Sequence, residues 1–262
     1  MTVATLGPEG TFSHEIAERL FGADILLLPT IRSVFDRVEQ GDVEGIVPIE
    51  NSEAGGVGAT LDGFINHTVS IIGEAYMAIS HHLAAREPLS SLSVLYVHPQ
   101  THEQCSEFID RLGIEVIHTS SNASSAQEAA GHAGAGAVTS SMAAAISNLP
   151  IIARNVQNSP YNVTRFVHIA SRPRPIPDPE KCSILIDPPG DRVGLLHDLL
   201  AAFADRKINL SRIESRPSRR GMGSYIFYLD FEPRGDWQEA LARIREMALV
   251  RELGCYRKRE VA

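Results

Sequence analysis

"FINHTVSIIGEAYMAISHHLAA", residues 64–85, is the stretch on which the fold turns. It is a long β-rich run in a neighbourhood where short apolar strands alternate with helical segments. Before it, Val3 to Leu6, Ile25 to Leu28 and Gly45 to Ile49 read as strands; after it, Val94 to Val97, Glu115 to Ile117 and Ala135 to Thr139 do. Between them, Ser33 to Glu39 and Thr101 to Leu112 carry helical spacing. Alternation of this kind implies an α/β fold, a mainly parallel sheet with helices on both faces. The run at 64–85 then reads as a crossover between two lobes, each with its own sheet, and the strand at 163–170 returns to the first. Lobe 1 is expected at about residues 1–75 and 155–172, lobe 2 at about 76–154.

Downstream, "SRPRPIPDP" (171–179) carries four prolines at alternate positions. Neither a helix nor a central strand accepts that spacing, so residues 173–180 are expected to be a stiff linker after a unit spanning 1–172. Residues 181–262 read as a second unit. Cys182 to Asp187 alternates like a strand, and Leu195, Leu196, Leu199, Leu200 and Phe203 form one helical stripe. Leu210 to Ser215 and Tyr225 to Phe231 are strands, Trp237, Leu241, Ile244 and Ala248 mark a helix, and Leu253 to Tyr256 ends the series. The β-α-β-β-α-β order is the ferredoxin-like arrangement, an antiparallel sheet with two helices on one face. Its other face is expected to be covered by a second copy of the chain.

The 262 residues are 44% hydrophobic and 21% charged, the profile of a globular protein with a proper core. Net charge is -8, from 24 basic and 32 acidic residues, which argues against nucleic acid or anionic membrane as partner. The N-terminus has no signal-peptide pattern, and no apolar run approaches the roughly 20 residues that span a bilayer. Cys105, Cys182 and Cys255 are odd in number and widely spaced, and read as free thiols in a reducing, cytoplasmic setting.

Four strand-to-helix junctions share a composition: Gly7 to Ser13, Pro48 to Ser52, Thr119 to Asn122 and Thr139 to Ser141. Each offers hydroxyls or amides beside a helix N-terminus, at the sheet edge where open α/β folds bind ligands. Simple N-capping explains any one of them; four around a two-lobed sheet point to a small anionic ligand. Thr164 and Arg165 stand side by side at the mouth of a strand, either as ordinary strand residues or as site residues. Gly55-Gly56-Val57-Gly58 has Leu61 where a dinucleotide fingerprint needs a third glycine. His81-His82 and His98 with His102 have no carboxylate or thiolate at ligand spacing, so no metal site is expected. Thr101 to Gln104 reads as a capping box, with Gln104 either bonding back to its helix start or facing a ligand.

"GPEGTFS", "PIENSEAGG", "HPQTHEQC" and "NVTRF", in this order, resemble the prephenate dehydratase family, and "GLLHDLLAAF" with "INLSRIESRP" resembles its regulatory ACT domain. The likeness covers nearly the whole chain. It implies a two-lobed, periplasmic-binding-protein-like catalytic domain followed by a ferredoxin-like ACT domain, in the monofunctional form without a chorismate mutase segment ahead of residue 1. The implied reaction removes carbon dioxide and water from prephenate to give phenylpyruvate, in L-phenylalanine biosynthesis. Aromatisation drives it, so neither metal nor redox cofactor is implied. By resemblance Thr164 is the catalytic donor to the departing oxygen. Arg165 holds a substrate carboxylate, Phe166 packs beside the ring or anchors the strand, and Thr11, Asn51, Ser52, Gln104 and Ser121 line the cleft. Glu50 is a structural acceptor. L-phenylalanine is the implied effector, held where ACT domains pair in a homodimer or homotetramer, by Gly194, Leu195, Leu196, Asn209, Leu210, Glu214 and Ser215.

Two positions depart from the family's pattern. Val193-Gly194-Leu195-Leu196 stands where Pro-Gly-Ala-Leu is usual, so Leu195 is expected to narrow the effector pocket. Ser121-Asn122-Ala123 stands where Ser-Thr-Ala is usual, which leaves the role of Asn122 open. Arogenate as substrate and a non-catalytic amino-acid sensor are the alternatives that the sequence leaves standing.

Overall fold

The computed structural model describes residues 1–22, 24–218, 220–221 and 223–261, so residue 262, the expected end of the second unit, lies outside it. The chain opens with β1 (Val3–Leu6), α1 (Phe12–Phe21), β2 (Ile25–Leu28), α2 (Ile31–Glu39), β3 (Glu44–Asn51), β4 (Gly55–Gly56) and α3 (Gly58–Asn66). Then β5 (Ser70–Ala78) crosses into a second sheet, beginning at β6 (His82–Ala85). The crossover run is therefore the end of a helix and two strands in different sheets, with the change of lobe at residues 79–81. The second lobe continues with β7 (Val94–Val97), α4 (Pro99–Gln104), α5 (Ser106–Leu112), β8 (Glu115–His118), α6 (Asn122–Gly131), β9 (Ala135–Thr139), α7 (Ser141–Ile146) and β10 (Ile151–Ala153). β11 (Val163–Ala170) returns to the first sheet, between β5 and β3, as expected.

The lobe sheets mix strand directions. β1 is parallel to β2 and β3, and β7 to β8 and β9, whereas β11 runs antiparallel to β3 and β5, and β6 antiparallel to β9 and β10. A strand that returns from the other lobe enters from the cleft side, which reverses its direction.

After the linker come β12 (Lys181–Asp187), α8 (Leu195–Ala204), β13 (Leu210–Pro217), β14 (Tyr225–Phe231), α9 (Trp237–Arg245), β15 (Leu249–Tyr256) and β16 (Lys258–Arg259). The sheet order β13-β14-β12-β15 is that of the ferredoxin-like arrangement. Alternation sorts its side chains. Ile184, Ile186, Leu229 and Phe231 pack under α8 and α9, whereas Leu185, Ile226, Tyr228, Leu253 and Tyr256 share one core with Val47, Ile49, Phe64, Val167 and Ile169 of the first lobe.

That shared core corrects an expectation. The face of the third sheet opposite its helices is covered by the chain's own first lobe, and a second copy is not needed to bury it. The fit is close. Gly254, at φ +140°, lies so near β5 that a Cβ there would collide with the carbonyl of Ile71. The chain end then pairs β16 with β5, which covers the edge of the first sheet.

The thiols are also corrected. Cys182 and Cys255 face each other in the β12–β15 register and form a disulfide; only Cys105 is free, buried, and its thiol is pushed up to about 12 by burial. Two cysteines 73 residues apart give no sign in the sequence of meeting across a strand pair. Among the described residues no helix is long and apolar enough to cross a membrane.

Candidate active site

A cavity of about 500 Å³ lies between the two lobes. The first lobe contributes Thr11, Phe12, Ser13, Asn51, Thr164 and Phe166 from the carboxyl-end loops and helix starts of its sheet. The second contributes His81, His98, Gln100, Thr101, Gln104 and Ser120 to Asn122. Three of the four hydroxyl-rich junctions thus converge. The fourth does not: Ser140 caps α7, and its Oγ donates to Gly10 O at 3.1 Å, joining the lobes behind the cavity.

Thr164 and Asn51 form the centre. They are register partners on β11 and β3, and Asn51 Nδ2 donates to Thr164 Oγ1 at 2.9 Å and to Asn162 Oδ1 at 2.7 Å. The orientation of the Asn51 amide is fixed from its other end, because Oδ1 accepts from Glu53 N–H at 3.1 Å and Ala54 N–H at 2.9 Å. An amide whose oxygen is held by two backbone donors must present its NH₂ to Thr164. Thr164 Oγ1 therefore uses a lone pair towards Asn51 and keeps its own proton for the cavity.

Two other cavity residues hold helix starts open. Thr11 caps α1, accepting from His14 N–H at 3.2 Å and donating to Leu6 O at 3.0 Å. Ser121 caps α6, accepting from Ser124 N–H at 3.0 Å. Both leave the positive end of a helix facing the cavity. Asn122 is steered by Thr101, whose Oγ1 donates to Asn122 Oδ1 at 2.6 Å, so its NH₂ remains available.

Gln104 lines the cavity, and its capping-box reading is overturned. α4 begins at Pro99 with His98 as N-cap, which puts Thr101 inside the helix and Gln104 at its end. Gln104 Oε1 instead lies 3.0 Å from His81 Nε2. An amide oxygen only accepts, so Nε2 of His81 carries the proton and the Gln104 NH₂ is free for a ligand. Burial pulls His81 down to about 4, against the opposing hydrogen bond from Gln104, so the ring is neutral near pH 7. The sequence marks His81 only as a candidate metal ligand, and its place in the cavity shows only in the fold.

Two expected ligands are elsewhere. Ser52 does not line the cavity: its Oγ accepts from Val163 N–H at 2.9 Å and donates to Tyr161 O at 3.0 Å, pinning the entry of β11. Arg165 points away from it. Neighbours on a strand face opposite sides, so Thr164 in the cleft puts Arg165 in the core behind it. There, 4% exposed, Arg165 donates from Nε to Glu74 at 2.7 Å, from Nη1 to Asp230 at 2.5 Å and from Nη2 to Tyr256 OH at 2.9 Å. Phe166 both anchors the core of the first sheet and presents an edge to the cavity. Glu50, 3.5 Å from Arg165 Nη1 and 3.6 Å from Arg212 Nε, is the acceptor that was expected.

The consequence is a cavity of unusual electrostatics. Among the described lining residues there is no Lys, Arg, Asp or Glu. An anion there meets neutral N–H and O–H donors and helix N-termini. Among the described residues no three His, Cys, Asp or Glu side chains are grouped to hold a metal ion.

The expected effector residues are divided. Gly194, at φ +79°, is the N-cap of α8, and with Leu196, Asn209 and Ser215 it is exposed. Leu195 is buried among the core residues beneath the helix, where it also borders a cavity of about 20 Å³ with Tyr225 and Phe227. Leu210 is half-buried against the same core, and Asn209 Nδ2 donates to Glu232 Oε1 at 2.8 Å. Glu214 projects from the other face of β13, where it pairs with Arg212 and abuts Gly56 of the first lobe.

Comparison with known proteins agrees with this architecture. The family model described as prephenate dehydratase matches residues 3–174, and that of the ACT domain matches residues 184–248. The chain is 33% identical to the prephenate dehydratase of Methanocaldococcus jannaschii over 95% of both chains. It is 38% identical to the bifunctional chorismate mutase/prephenate dehydratase of Stutzerimonas stutzeri, over 88% of this chain and 65% of that protein's length. The crystal structure of prephenate dehydratase from Arthrobacter aurescens in complex with L-Phe superposes with a TM-score of 0.90 at 30% identity, covering 100% of this chain and 93% of that one. By sequence and by fold, the chain belongs to the prephenate dehydratase family and carries a C-terminal ACT domain.

Proposed function

We propose that the cavity converts prephenate to phenylpyruvate, and that L-phenylalanine acting on the ACT domain regulates it. The observation that carries this reading is the Thr164 hydroxyl, with one lone pair taken by Asn51 and its proton left for the cavity. Loss of the ring carboxylate as carbon dioxide sends an electron pair into the ring. That pair expels the ring hydroxyl as hydroxide, which leaves as water after taking a proton. A threonine hydroxyl is too weak an acid to ionise freely. Its help must be a hydrogen bond, or a proton given as the C–O bond breaks and regained from solvent. Phe12, Ile79 and Phe166 form the apolar wall for the ring. Thr11, Gln104, Ser121 and the two helix starts are placed to hold the carboxylates.

The same lining favours prephenate over arogenate. Arogenate carries an ammonium where prephenate has a keto oxygen, and the described lining offers no carboxylate to pair with it. For assembly, β13 pairs only with β14 among the described residues and leaves an open strand edge. A second copy on that edge would make a homodimer and bring the exposed effector residues into an interface; pairing of dimers gives the tetramer. We assign residues 1–172 to the catalytic unit, 173–180 to the linker and 181–262 to the regulatory unit, and place the enzyme in the cytoplasm.

The test is turnover of prephenate to phenylpyruvate by the purified chain and by Thr164→Val. The variant is expected to lose about 10²–10³ in kcat. Stabilisation by L-phenylalanine without any turnover in the parent chain would overturn the enzyme in favour of a sensor.

A further inference from the structure

The dehydratase reading leaves Arg165 without a substrate to hold, although it adjoins the catalytic hydroxyl. Half of its hydrogen-bond partners belong to the regulatory domain. Of the groups within hydrogen-bond reach, Asp230 lies on β14 and Tyr256 at the end of β15, both with 0% exposure. Asp230 is braced by Ser183 Oγ from β12, which also meets Tyr256 OH. Glu74 of β5, the remaining close partner, is shared with Lys181 of β12, whose Nζ donates to its two oxygens at 2.9 and 3.0 Å. The network balances two cations, buried Arg165 and half-buried Lys181, against two buried anions, Glu74 and Asp230. Removing one partner of a buried pair leaves an uncompensated charge and is strongly destabilising.

Arg165 lies on β11. Arg165 and Thr164 are consecutive, and the register of β11 on β3 shifts just after Arg165, so Glu50 opposes Arg165 but Pro48 opposes Phe166. The strand is regular on the Thr164 side of that shift and held by the guanidinium at it. A second contact lies alongside. Arg212 of β13, 8% exposed, donates to Ile49 O at 3.3 Å and pairs with Glu214, while its Nε stands 3.6 Å from Glu50. The regulatory sheet therefore grips both strands, β3 and β11, that bring Asn51 and Thr164 together.

We propose that Arg165 is a positioning residue, locked by Asp230 and Tyr256, through which the ACT sheet sets where β11 presents the Thr164 hydroxyl. On this view the regulatory domain is part of the machinery of turnover even without an effector. Any ACT rearrangement that lengthens the Arg165–Asp230 contact lowers turnover without touching the cavity. The inference rests on the dehydratase reading.

The experiment compares three variants of the full-length chain in prephenate turnover, each also followed by thermal unfolding. Tyr256→Phe removes one hydrogen bond and keeps the charges. It is expected to fold, with kcat down three- to tenfold and KM within twofold. Asp230→Asn is expected to lower kcat 10- to 100-fold, again at nearly constant KM. The double variant Arg165→Met/Asp230→Leu replaces the pair by apolar groups, which is expected to return the melting temperature towards the parent value but not kcat. Unchanged kcat in Tyr256→Phe, or full kcat in the double variant, would overturn the proposal and leave Arg165 a purely structural ion. A raised KM at unchanged kcat would overturn it too, in favour of a substrate contact. Absence of turnover in the parent chain is a different failure, that of the dehydratase reading itself.

Discussion

Asn51→Asp is the substitution that tests the centre of the site most directly, because it keeps the shape of the side chain and replaces one donor by an anionic acceptor. The side-chain oxygen that accepts from Glu53 and Ala54 N–H is retained, so the turn after β3 should survive. Asn162 faces the changed atom with Oδ1, but its Nδ2 is buried without a partner, so a flip of that amide supplies a donor and removes the repulsion. The fold is thus expected to stand. Thr164 fares differently. In the parent its Oγ1 accepts from Nδ2; in the variant it faces an anionic acceptor and must donate. A hydroxyl–carboxylate bond is charge-assisted and stronger than a neutral one, so the proton needed by the departing oxygen is held in the wrong direction. Loss of one aimed donor costs about 3–4 kcal/mol of transition-state stabilisation, or 10²–10³ in kcat. The assay is phenylpyruvate formation at saturating prephenate, with circular dichroism and melting temperature as checks on the fold and Thr164→Ser as a control that keeps the hydroxyl. A well-folded variant with kcat within threefold of the parent would refute the assignment of Thr164 as donor.

Two further outcomes follow from the packing. His81 titrates at about 4 in the folded chain against an ordinary 6.5, because burial disfavours the charged ring, so the unfolded chain binds its proton first. Its contribution to stability is complete above pH 6.5 and is lost as pH falls towards 4, about 3 kcal/mol in all; urea melts of parent and His81→Asn at pH 7 and pH 4 should diverge by that amount, and parallel losses would exclude His81 as the cause. Gly254→Ala drives a Cβ into the Ile71 carbonyl and is expected to cost about 2–3 kcal/mol, or 4–5 °C in melting temperature, whereas Gly190→Ala, with open space around it, should be neutral. Equal melting temperatures for the two would mean that the domains are not in the close contact described.

Much of the cavity was legible because its signals are local. Thr11 and Ser121 announce helix starts by residue type, Asn51 and Thr164 stand at strand ends, and Gln104 sits in a recognisable motif. The strands β1, β2, β7 and β9 fall where apolar runs put them. The failures concern which side a residue faces. Alternation already forbids Thr164 and Arg165 from sharing one face, yet nothing local says which of them looks into the cleft. The same ambiguity hid the covered face of the ACT sheet: Leu185, Ile226 and Leu253 form an apolar stripe that a second chain or the first lobe would bury equally well. The place of His81 beside the cavity is hidden for a related reason. Its partner Gln104 is 23 residues away and comes into contact only when the second lobe folds.

The averted arginine also bears on why the cavity is uncharged. Prephenate brings two carboxylates, and a guanidinium would bind either of them well. One of them, however, must give up its charge as it departs as carbon dioxide. A cation paired with that group stabilises the reactant more than the transition state and therefore raises the barrier, since only contacts that strengthen along the reaction accelerate it. Neutral donors hold the same group with less bias. In the proposed reaction hydroxide leaves from the opposite carbon of the ring with the charge that the carboxylate loses, so a hydrogen bond from Thr164 would strengthen as the reaction proceeds. Arg165 turned towards Asp230 and the Thr164 hydroxyl turned towards the cavity are two results of one strand alternation, and in the proposed reaction they would together leave the negative charge free to move across the ring.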